Sequence, residues 1–289
     1  MSTRPAVSVI VPYAGPDAAL RSTLATLEAL VLDAGDEILL ADNGPGPEPG
    51  RRGLNWPVGV ERVAASGVRA PGFARNRGAA HAHGDWLVFL DADVRPSPGL
   101  LDAYFSPHPG ESTAVLAGGI RDIPGADTRA ARHSARRGQM SHLTTLGRSG
   151  RPYAQTANCA VRREAFAAIG GFAEDARYGE DADLCWRLAD TGWDLEEREH
   201  ALAEHPSRTA LRPLLAQLTG HGAGAAWLDR RYPGEFPPAG PRSPARSAAR
   251  ATRALIGGHR TAATEAALDG LEALAFAAGR RRSNRPRQA

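Results

Sequence analysis

Three short apolar segments constrain the fold of this chain more than any other feature of its sequence. They are residues 7–11, 38–41 and 86–90, and nearly every position in them is aliphatic or aromatic. Strands covered on both faces, as in the parallel sheets of α/β proteins, have this pattern. Apolar residues at helical spacing, from Leu20 to Val31, separate the first two segments and complete a βαβ unit. The sequence therefore predicts an α/β fold built on a largely parallel sheet.

The predicted strands all lead into positions where ligand contacts are expected. Pro12, Asp42 and Asp91 follow the three apolar segments directly. In open α/β sheets, ligands bind beyond the carboxyl ends of the strands. We therefore expect these three strand ends to converge on one crevice.

The triplet Asp91-Ala92-Asp93 is the first candidate for chemistry. Two carboxylates can hold Mg²⁺ or Mn²⁺ while the metal binds the phosphate oxygens of a substrate. Such a triplet alone is usually a turn or a helix cap. Its place at a strand end, with Asp42 at another strand end and a carboxylate-rich helix start further along the chain, favours a binding site.

Five other residues, in three places along the chain, are candidates for binding or chemistry. Glu180 and Asp181 fall in the first turn of a predicted helix, where the helix dipole favours carboxylates, so chemistry and simple capping both stay open. Asp42 and Asn43 can bond to a base or ribose, or close their strand as an Asx turn. Arg75, on another predicted helix, could reach a nucleotide or its diphosphate.

Charge is concentrated at the C-terminal end. Residues 235–289 contain ten arginines against four acidic residues, and the chain has no lysine. No aromatic residues alternate with these arginines and the rest of the chain is acidic, so nucleic acid is not expected as a partner. A solvated basic tail that contacts acidic partners or anionic lipid is the expectation.

Domain organisation follows from composition. Residues 1–234 are expected to form one domain, and residues 235–289 a basic, Ala/Arg-rich linker followed by a helical or disordered tail. The linker proper is placed at 235–250 and an alanine-rich helix at 259–278. Residues 121–152 are polar and too long for an ordinary connection, which suggests a mobile substrate loop.

Compartment and cysteine usage give weaker constraints. No apolar run approaches the roughly 18 to 20 residues of a transmembrane helix, and the start of the sequence lacks a signal-peptide pattern. We therefore expect a cytoplasmic protein, either free or peripheral to the inner face of the membrane through its basic tail; a homodimer stays open.

Cys159 and Cys185 lie far apart and outside Cys-x-x-Cys spacing, which predicts two buried thiols.

Five motifs, in their joint order and spacing, resemble the family 2 glycosyltransferases, whose fold is GT-A. The motifs are residues 7–12, Asp42-Asn43-Gly44, Ala74-Arg75-Asn76-Arg77-Gly78, Asp91-x-Asp93 and Gly179-Glu180-Asp181-Ala182-Asp183-Leu184. The resemblance covers about residues 6–232. Residues 208–232, which include His221-Gly222-Ala223-Gly224, are loosely similar to the C-terminal part of the mycofactocin-type glycosyltransferases.

The resemblance implies a fold and a reaction. The fold is a Rossmann-like nucleotide-diphospho-sugar transferase, an α/β/α sandwich with a mostly parallel mixed sheet, plus a helical C-terminal extension. The reaction is an inverting transfer of a sugar, of the hexosyltransferase type, with Mn²⁺ or Mg²⁺ as cofactor. The donor is a UDP-, GDP- or dTDP-sugar, and the unknown acceptor is a small molecule, a peptide or a glycan.

The resemblance also assigns site residues. It implies that Asp181 is the catalytic base, with Glu180 as the second choice. The metal ligands it implies are Asp93, Asp91 and His205, although a surface role for His205 stays open. The implied contacts to the nucleotide-sugar are Pro12, Tyr13, Asp42, Asn43, Arg75, Asp91 and Ala92. Asn43 stands where a second aspartate is commoner, so the contacts to the base are less defined.

Two other functions remain as alternatives. A nucleotidyltransferase also combines an α/β sheet with metal-binding aspartates, but it usually has a Gly-rich phosphate loop after the first strand. Residues 11–15 lack such a loop. A non-catalytic nucleotide-sugar-binding protein, recruited by its basic tail, is the second alternative. The presence of Asp91, Asp93 and Asp181 together argues against it.

Overall fold

The structure is a computed structural model that describes residues 4–44, 56–138, 140–238 and 242–288. These residues form two compact units. The sheet unit contains the described chain up to Asp122, then Met140–Pro206 and the residues from Arg285 onward. The helical unit contains the described residues from Ile123 to Gly138 and the described part of Ser207–Asn284.

A mixed eight-stranded sheet forms the centre of the sheet unit. The strands of the described chain are β1 (Val7–Tyr13), β2 (Glu37–Asp42), β3 (Val60–Ala64), β4 (Val68–Arg69), β5 (Trp86–Leu90), β6 (Arg95–Pro96), β7 (Thr113–Ile123), β8 (Asn158–Arg162), β9 (Asp194–Pro206) and β10 (Arg287–Gln288). Their order in the large sheet is β3-β2-β1-β5-β8-β7-β9-β6, and β10 pairs separately with β4. The first four strands in this order, β3, β2, β1 and β5, run parallel to one another. Strand β8 is antiparallel to both β5 and β7.

Helices complete both units. They are α1 (Asp17–Leu27), α2 (Pro71–Ala79), α3 (Leu100–Tyr104), α4 (Arg129–Arg137), α5 (Leu143–Leu146), α6 (Arg163–Ala168), α7 (Glu180–Asp190), α8 (Leu211–Arg231), α9 (Arg242–Ile256) and α10 (Arg260–Gly279). Helices α4, α8, α9 and α10 belong to the helical unit and the others to the sheet unit. The mixed α/β architecture confirms the predicted fold class.

The apolar segments that define the sequence lie where their pattern predicts. All five residues of β5 are buried, and β1 and β2 are buried over most of their length. Helix α2 packs against β1 and β2. Strands β1, β2 and β5 therefore end side by side, and the residues that follow them are brought to one edge of the sheet.

Helices α8 and α10 approach each other closely in the helical unit. A Cβ atom at Gly222 would overlap the backbone carbonyl of Phe276, and one at Gly279 would overlap that of Thr219. A residue can approach a neighbouring backbone this closely only where it has no side chain of its own. The two glycines therefore set the distance between the helices.

Two segments that composition marked as irregular are helical. Residues 121–152, expected to be a mobile loop, contain the end of β7 and helices α4 and α5. The hydroxyl of Thr128 caps α4 by accepting a hydrogen bond from the Ala131 N–H, 3.1 Å away. Helix α9 occupies much of the expected linker 235–250, because its many alanines and arginines favour a helix once Pro244 has been placed in the first turn.

The division of the structure differs from the domain boundary expected at residue 234. Helix α10 packs against both α8 and α9. Helix α8, before residue 234, and helices α9 and α10, after it, therefore belong to the same unit. Arg280 bonds Asp229 at 3.2 Å within this unit, and β10 pairs with β4 in the sheet unit. Independent folding of residues 1–234 stays a prediction.

Two other sequence expectations concern burial and membrane insertion. Cys159 and Cys185 are both buried free thiols, as predicted. Burial raises the pKa of Cys185 to about 12, so its thiol is inert near neutrality. Among the described residues, no helix has the length and apolar character needed to cross a membrane.

The contact between α8 and α10 generates a stability prediction. We expect Gly222→Ala to lower the free energy of unfolding by about 1–3 kcal/mol, because the new methyl group forces the two helices apart. Gly99→Ala is the control, since a Cβ there meets no atom within 4 Å. Denaturant unfolding of both variants measures the difference. If the two variants are equally stable, the close approach does not exist.

Candidate active site

A buried arginine joins two carboxylates at the edge of the sheet. Arg75, in the middle of α2, donates from Nη2 to Asp91 Oδ1 at 2.6 Å and from Nη1 to Glu180 Oε1 at 2.8 Å. Asp91 directly follows β5, and Glu180 is the first residue of α7. The side chain of Arg75 is only 3% exposed. Three segments that are distant in sequence are thus connected through one guanidinium group.

The start of α7 places its acidic residues near Arg75. Gly179 precedes the helix with φ +85°, a left-handed conformation that favours glycine. Glu180, Asp181 and Asp183 then fall in the first turn, where the helix dipole stabilises negative charge. Asp183 is fully buried and bonds Arg187 at 2.8 Å, which gives it a structural role. Glu180 and Asp181 remain as the acidic pair of the site.

The two carboxylates of this pair differ in their electrostatic environment. Burial raises the pKa of Glu180, and the ion pair with Arg75 opposes that rise. Burial also raises the pKa of Asp181, to about 7, and the negative charge of Glu180 adds to the effect. Oδ1 of Asp181 accepts a hydrogen bond from the Ala182 N–H at 2.8 Å. A pKa raised to about 7 suits Asp181 to proton transfer near neutral pH.

The Asp-x-Asp triplet forms the turn between β5 and β6. Asp91 is half-buried and held by Arg75, whereas the Asp93 side chain is exposed. The backbone carbonyl of Ala92 accepts a hydrogen bond from the Thr23 hydroxyl at 2.9 Å, which fixes the turn against α1. The two aspartates therefore stand on a turn of defined backbone, one inside the site and one at its surface.

His205 lies at the same end of a strand pair as Asp93. Arg95 of β6 pairs with Glu204 of β9 in antiparallel register. The residues that precede Arg95 therefore lie near those that follow Glu204. His205 is buried, and its Nδ1 is 2.8 Å from Oδ1 of Asp122. A carboxylate accepts, so Nδ1 donates, and a neutral ring keeps its lone pair on Nε2. That tautomer is the one a metal-binding histidine needs.

Sequence reasoning missed Asp122. Its side chain is 2% exposed, and its second oxygen accepts a hydrogen bond from the Met140 N–H at 2.8 Å. The available signal was its position shortly after the apolar run 114–117, which resembles the positions of Asp42 and Asp91 after their own apolar segments. The polar composition of residues 121–152 pointed instead to a loop.

The residues near the ends of β1 and β2 make mainly structural contacts. Asp42 accepts from the Gly44 N–H at 3.1 Å, as in an Asx turn, and from Arg62 Nε at 3.0 Å. The amide of Asn43 donates to the carbonyls of Ala65 and Val68. These bonds hold the end of β2, and nucleotide contacts for Asp42 and Asn43 stay a prediction.

Pro12 and Tyr13 end β1 beside this segment. The hydroxyl of buried Tyr13 donates to the carbonyl of Pro16 at 2.6 Å, and the Asn43 N–H donates to the Tyr13 carbonyl at 2.6 Å. Pro12 is partly exposed. The two residues thus lie next to Asp42 and Asn43 as predicted, while their contact with a donor stays a prediction.

Two aromatic residues near Asp181 also escaped the sequence analysis. Burial raises the pKa of Tyr153, and the charge of Asp181 contributes to that rise, so the two groups interact. The guanidinium carbon of Arg148 lies 5.9 Å from the Tyr153 ring centroid and 5.5 Å from that of Trp186. Arg148, Tyr153 and Trp186 therefore form one cluster, in which Tyr153 is the ring that interacts with Asp181.

Comparison with known proteins identifies relatives of this chain. A family model described as Glycosyl transferase family 2 matches residues 8–170. The chain is 29% identical over 237 residues to a pre-mycofactocin glycosyltransferase of Mycobacterium tuberculosis, covering 80% of this chain and 49% of that protein. It is 26% identical over 236 residues to the glycosyltransferase AglE of Haloferax volcanii, covering 79% of this chain and 77% of AglE. The chain therefore spans about half the length of the mycobacterial relative.

Solved structures share the fold. A mannosyltransferase from Pyrobaculum calidifontis, in complex with GDP-Man and Mn²⁺, matches with a TM-score of 0.61 at 17% identity, covering 94% of this chain and 87% of the other. Glucosyl-3-phosphoglycerate synthase from Mycobacterium tuberculosis, in complex with Mn²⁺, UDP-Glc and glycerol 3-phosphate, matches with a TM-score of 0.53 at 20% identity, covering 78% and 80%. Both confirm the GT-A fold.

The family model covers nearly all of β1, then β2 and β5, the Asp-x-Asp turn and Arg75, and it ends before Glu180, Asp181 and His205. The motifs, the sheet order and the sequence match agree. This chain belongs to glycosyl transferase family 2.

Proposed function

We propose that this protein catalyses an inverting, metal-dependent transfer of a sugar from a nucleotide-sugar to an acceptor nucleophile. The observation that supports this most is Asp181, whose pKa is raised to about 7 beside a pair of carboxylates joined by Arg75. A base with a pKa near the working pH is suited to proton abstraction. Direct displacement at an anomeric carbon needs such a base on the acceptor side.

Asp181 takes the proton from the acceptor in this proposal. Glu180 is less suited to that role, because its carboxylate is buried and engaged by Arg75. Its negative charge instead raises the proton affinity of Asp181. Arg75 fixes the position of Glu180, and therefore of the first turn of α7 that holds Asp181. Tyr153, which interacts with Asp181 and stacks near Arg148, would help to orient the acceptor.

The residues proposed as metal ligands carry donor atoms suited to a divalent cation, but in the described structure the donor atoms of Asp91, Asp93 and His205 do not all lie within 4.8 Å of one another. Asp91 and Asp93 supply oxygen donors at the turn after β5, and His205 has the tautomer that leaves Nε2 able to bind. When bound, Mn²⁺ or Mg²⁺ would neutralise the charge that develops on the leaving nucleoside diphosphate. Asp122 holds the His205 ring in place, so it acts as a positioning residue.

The donor is proposed to be a UDP-, GDP- or dTDP-sugar. The two solved structures contain GDP-Man and UDP-Glc, each with Mn²⁺, and the mycobacterial relative is named a pre-mycofactocin glycosyltransferase. Transfer assays with these donors, with and without Mn²⁺, test the proposal, and NMR of the product gives its anomeric configuration. Nucleotidyl transfer, or binding without transfer, are the outcomes that would replace it. Dimerisation and membrane contact through the basic tail stay predictions.

The role of Asp181 gives the most specific mutational prediction. We expect Asp181→Asn to lower kcat by about 100- to 10,000-fold, because the general base is lost, while the affinity for the donor stays nearly unchanged. Steady-state kinetics and donor titration calorimetry measure the two quantities. Asp175→Asn is the matched control, since Asp175 is exposed and precedes the site. Loss of donor affinity in Asp181→Asn would make this residue a donor ligand or a helix cap.

The pH profile follows from the raised pKa. Asp181 accepts a proton only when ionised, so kcat/KM should fall about tenfold per pH unit below about pH 7. Glu180→Gln removes a neighbouring negative charge and lowers the pKa of Asp181. The acidic limb of the pH profile, where kcat/KM falls, therefore shifts to lower pH. Glu164→Gln changes an exposed carboxylate and should leave the limb in place. A limb that does not move in Glu180→Gln contradicts the assignment.

The metal site gives a third prediction for this reaction. We expect Asp93→Asn to abolish Mn²⁺-dependent donor binding, and Asp122→Asn to weaken Mn²⁺ binding by about 10- to 100-fold because the His205 ring loses its carboxylate partner. Mn²⁺ titration followed by electron paramagnetic resonance measures both. Asp127→Asn alters a carboxylate that is 92% exposed and serves as the control. Full transfer activity in EDTA would rule out metal dependence.

A further inference from the structure

One histidine and two carboxylates form a buried cluster within the helical unit. His133 lies on α4, and Asp269 and Glu272 lie three residues apart on α10, which puts them on one face of that helix. Nε2 of His133 is 3.2 Å from Glu272 Oε1 and 3.7 Å from Asp269 Oδ1. One ligand atom from each residue lies within 4.8 Å of the other two. None of the three has a part in the proposed transfer reaction.

The atoms that converge in this cluster lack hydrogen bonds. The His133 and Glu272 side chains are 4% and 6% exposed, and that of Asp269 is 15% exposed. Among the described residues, no donor or acceptor makes a hydrogen bond with His133 Nε2, Asp269 Oδ1 or Glu272 Oε1. Leaving a buried polar atom without a partner costs free energy, and buried polar groups are normally satisfied. Three such atoms directed at one point indicate a ligand that can bond to all of them.

The donor set and its spacing suit a small transition-metal cation. Imidazole nitrogen and carboxylate oxygen are both common ligands of Zn²⁺, at about 2.0–2.2 Å. Tetrahedral coordination at those bond lengths separates neighbouring ligand atoms by about 3.4 Å. The observed 3.2 and 3.7 Å separations lie on either side of that value. A water molecule would complete four-coordination.

Two arginines adjoin the cluster without occupying its centre. Arg250 bonds the other oxygen of Asp269, Oδ2, at 3.2 Å and thereby orients Oδ1 toward His133. Nε of Arg137 is 3.8 Å from Asp269 Oδ1 and 3.9 Å from Glu272 Oε2, beyond hydrogen-bonding distance. Both side chains are more than half exposed, so each can extend into water. The central position between the three donor atoms is left for a cation.

We propose that His133, Asp269 and Glu272 bind a Zn²⁺ ion that links α4 to α10, separate from the metal of the transfer reaction. Its role is structural: it joins a helix that follows β7 to a helix near the C-terminus of the chain. Because metal binding to ligands of the folded state stabilises that state, Zn²⁺ would raise the stability of the helical unit.

The test compares bound zinc in matched variants of the untagged, full-length chain. All variants carry Asp93→Asn, so that the donor-site metal contributes little, and all are stripped with a chelator before incubation with Zn²⁺. We expect the parent to retain one more equivalent of zinc after gel filtration than His133→Gln or Glu272→Gln, as measured by mass spectrometry of the metal. Zn²⁺ should also raise the unfolding temperature of the parent and leave that of both variants unchanged.

Glu265→Gln is the control, because Glu265 lies on the same helix but pairs with Arg136 outside the cluster. It should bind zinc like the parent. Equal zinc content in the parent and a folded His133→Gln or Glu272→Gln variant would overturn the proposal and leave the cluster as a buried ion pair. If both variants fail to fold, the absorption spectrum of the Co²⁺-loaded parent decides. Intense visible bands from four-coordinate cobalt support the site, and weak bands alone overturn it.

Discussion

The geometry of the candidate active site depends on one buried cation. Arg75 reaches Asp91 at the end of β5 and Glu180 at the start of α7, and the Phe172 ring lies 5.6 Å from its guanidinium carbon. Burial disfavours the charged form of Arg75, but the two carboxylates outweigh burial and raise its pKa. Removing one partner from a buried ion pair typically costs about 3–5 kcal/mol, because a charge is left uncompensated. The acidic groups of the site are therefore tolerated together only while this arginine is present.

The same interaction underlies the different roles proposed for the two adjacent carboxylates. Glu180 is engaged with Arg75, whereas Asp181 lies one residue further along α7, with its pKa raised by burial and by the charge of Glu180. A carboxylate with a pKa near the working pH is suited to accept a proton. The family relationship gives the reaction class, and the engagement of Glu180 by Arg75 supports the proposal of Asp181 as the base.

The parts of the fold that could be predicted are those encoded in local sequence. The apolar runs of β1, β2 and β5 require a sheet buried on both faces, and the residues that follow parallel strands lie at one edge of that sheet. The contact between Arg75 and Glu180 could not be predicted in the same way, because it joins residues 105 positions apart. Nor could the Asp122–His205 pair, which depends on the register of strands distant in sequence.

Local composition also misled in identifiable ways. The arginine- and serine-rich sequence around α4 looked like a loop, yet the Thr128 cap and packing within the helical unit make it a helix that places His133 beside α10. The amide of Asn43 holds the backbone near β4, a contact that composition did not indicate, and its contact with a nucleotide stays a prediction. The structure of α4 and the contacts of Asn43 both depend on segments distant in sequence that come together only when the chain has folded.

In the proposed reaction, burial and the charge of Glu180 poise Asp181 to act as a base near neutral pH. A ¹³C NMR titration of the aspartate carboxyl carbons measures the pKa of Asp181 itself, with its resonance assigned by its loss in Asp181→Asn. We expect this carboxyl to titrate with an apparent pKa of about 7 in the 289-residue chain. Titration near the ordinary aspartate value of about 3.9 would contradict it, since Asp181 would then have no raised proton affinity to use on an acceptor.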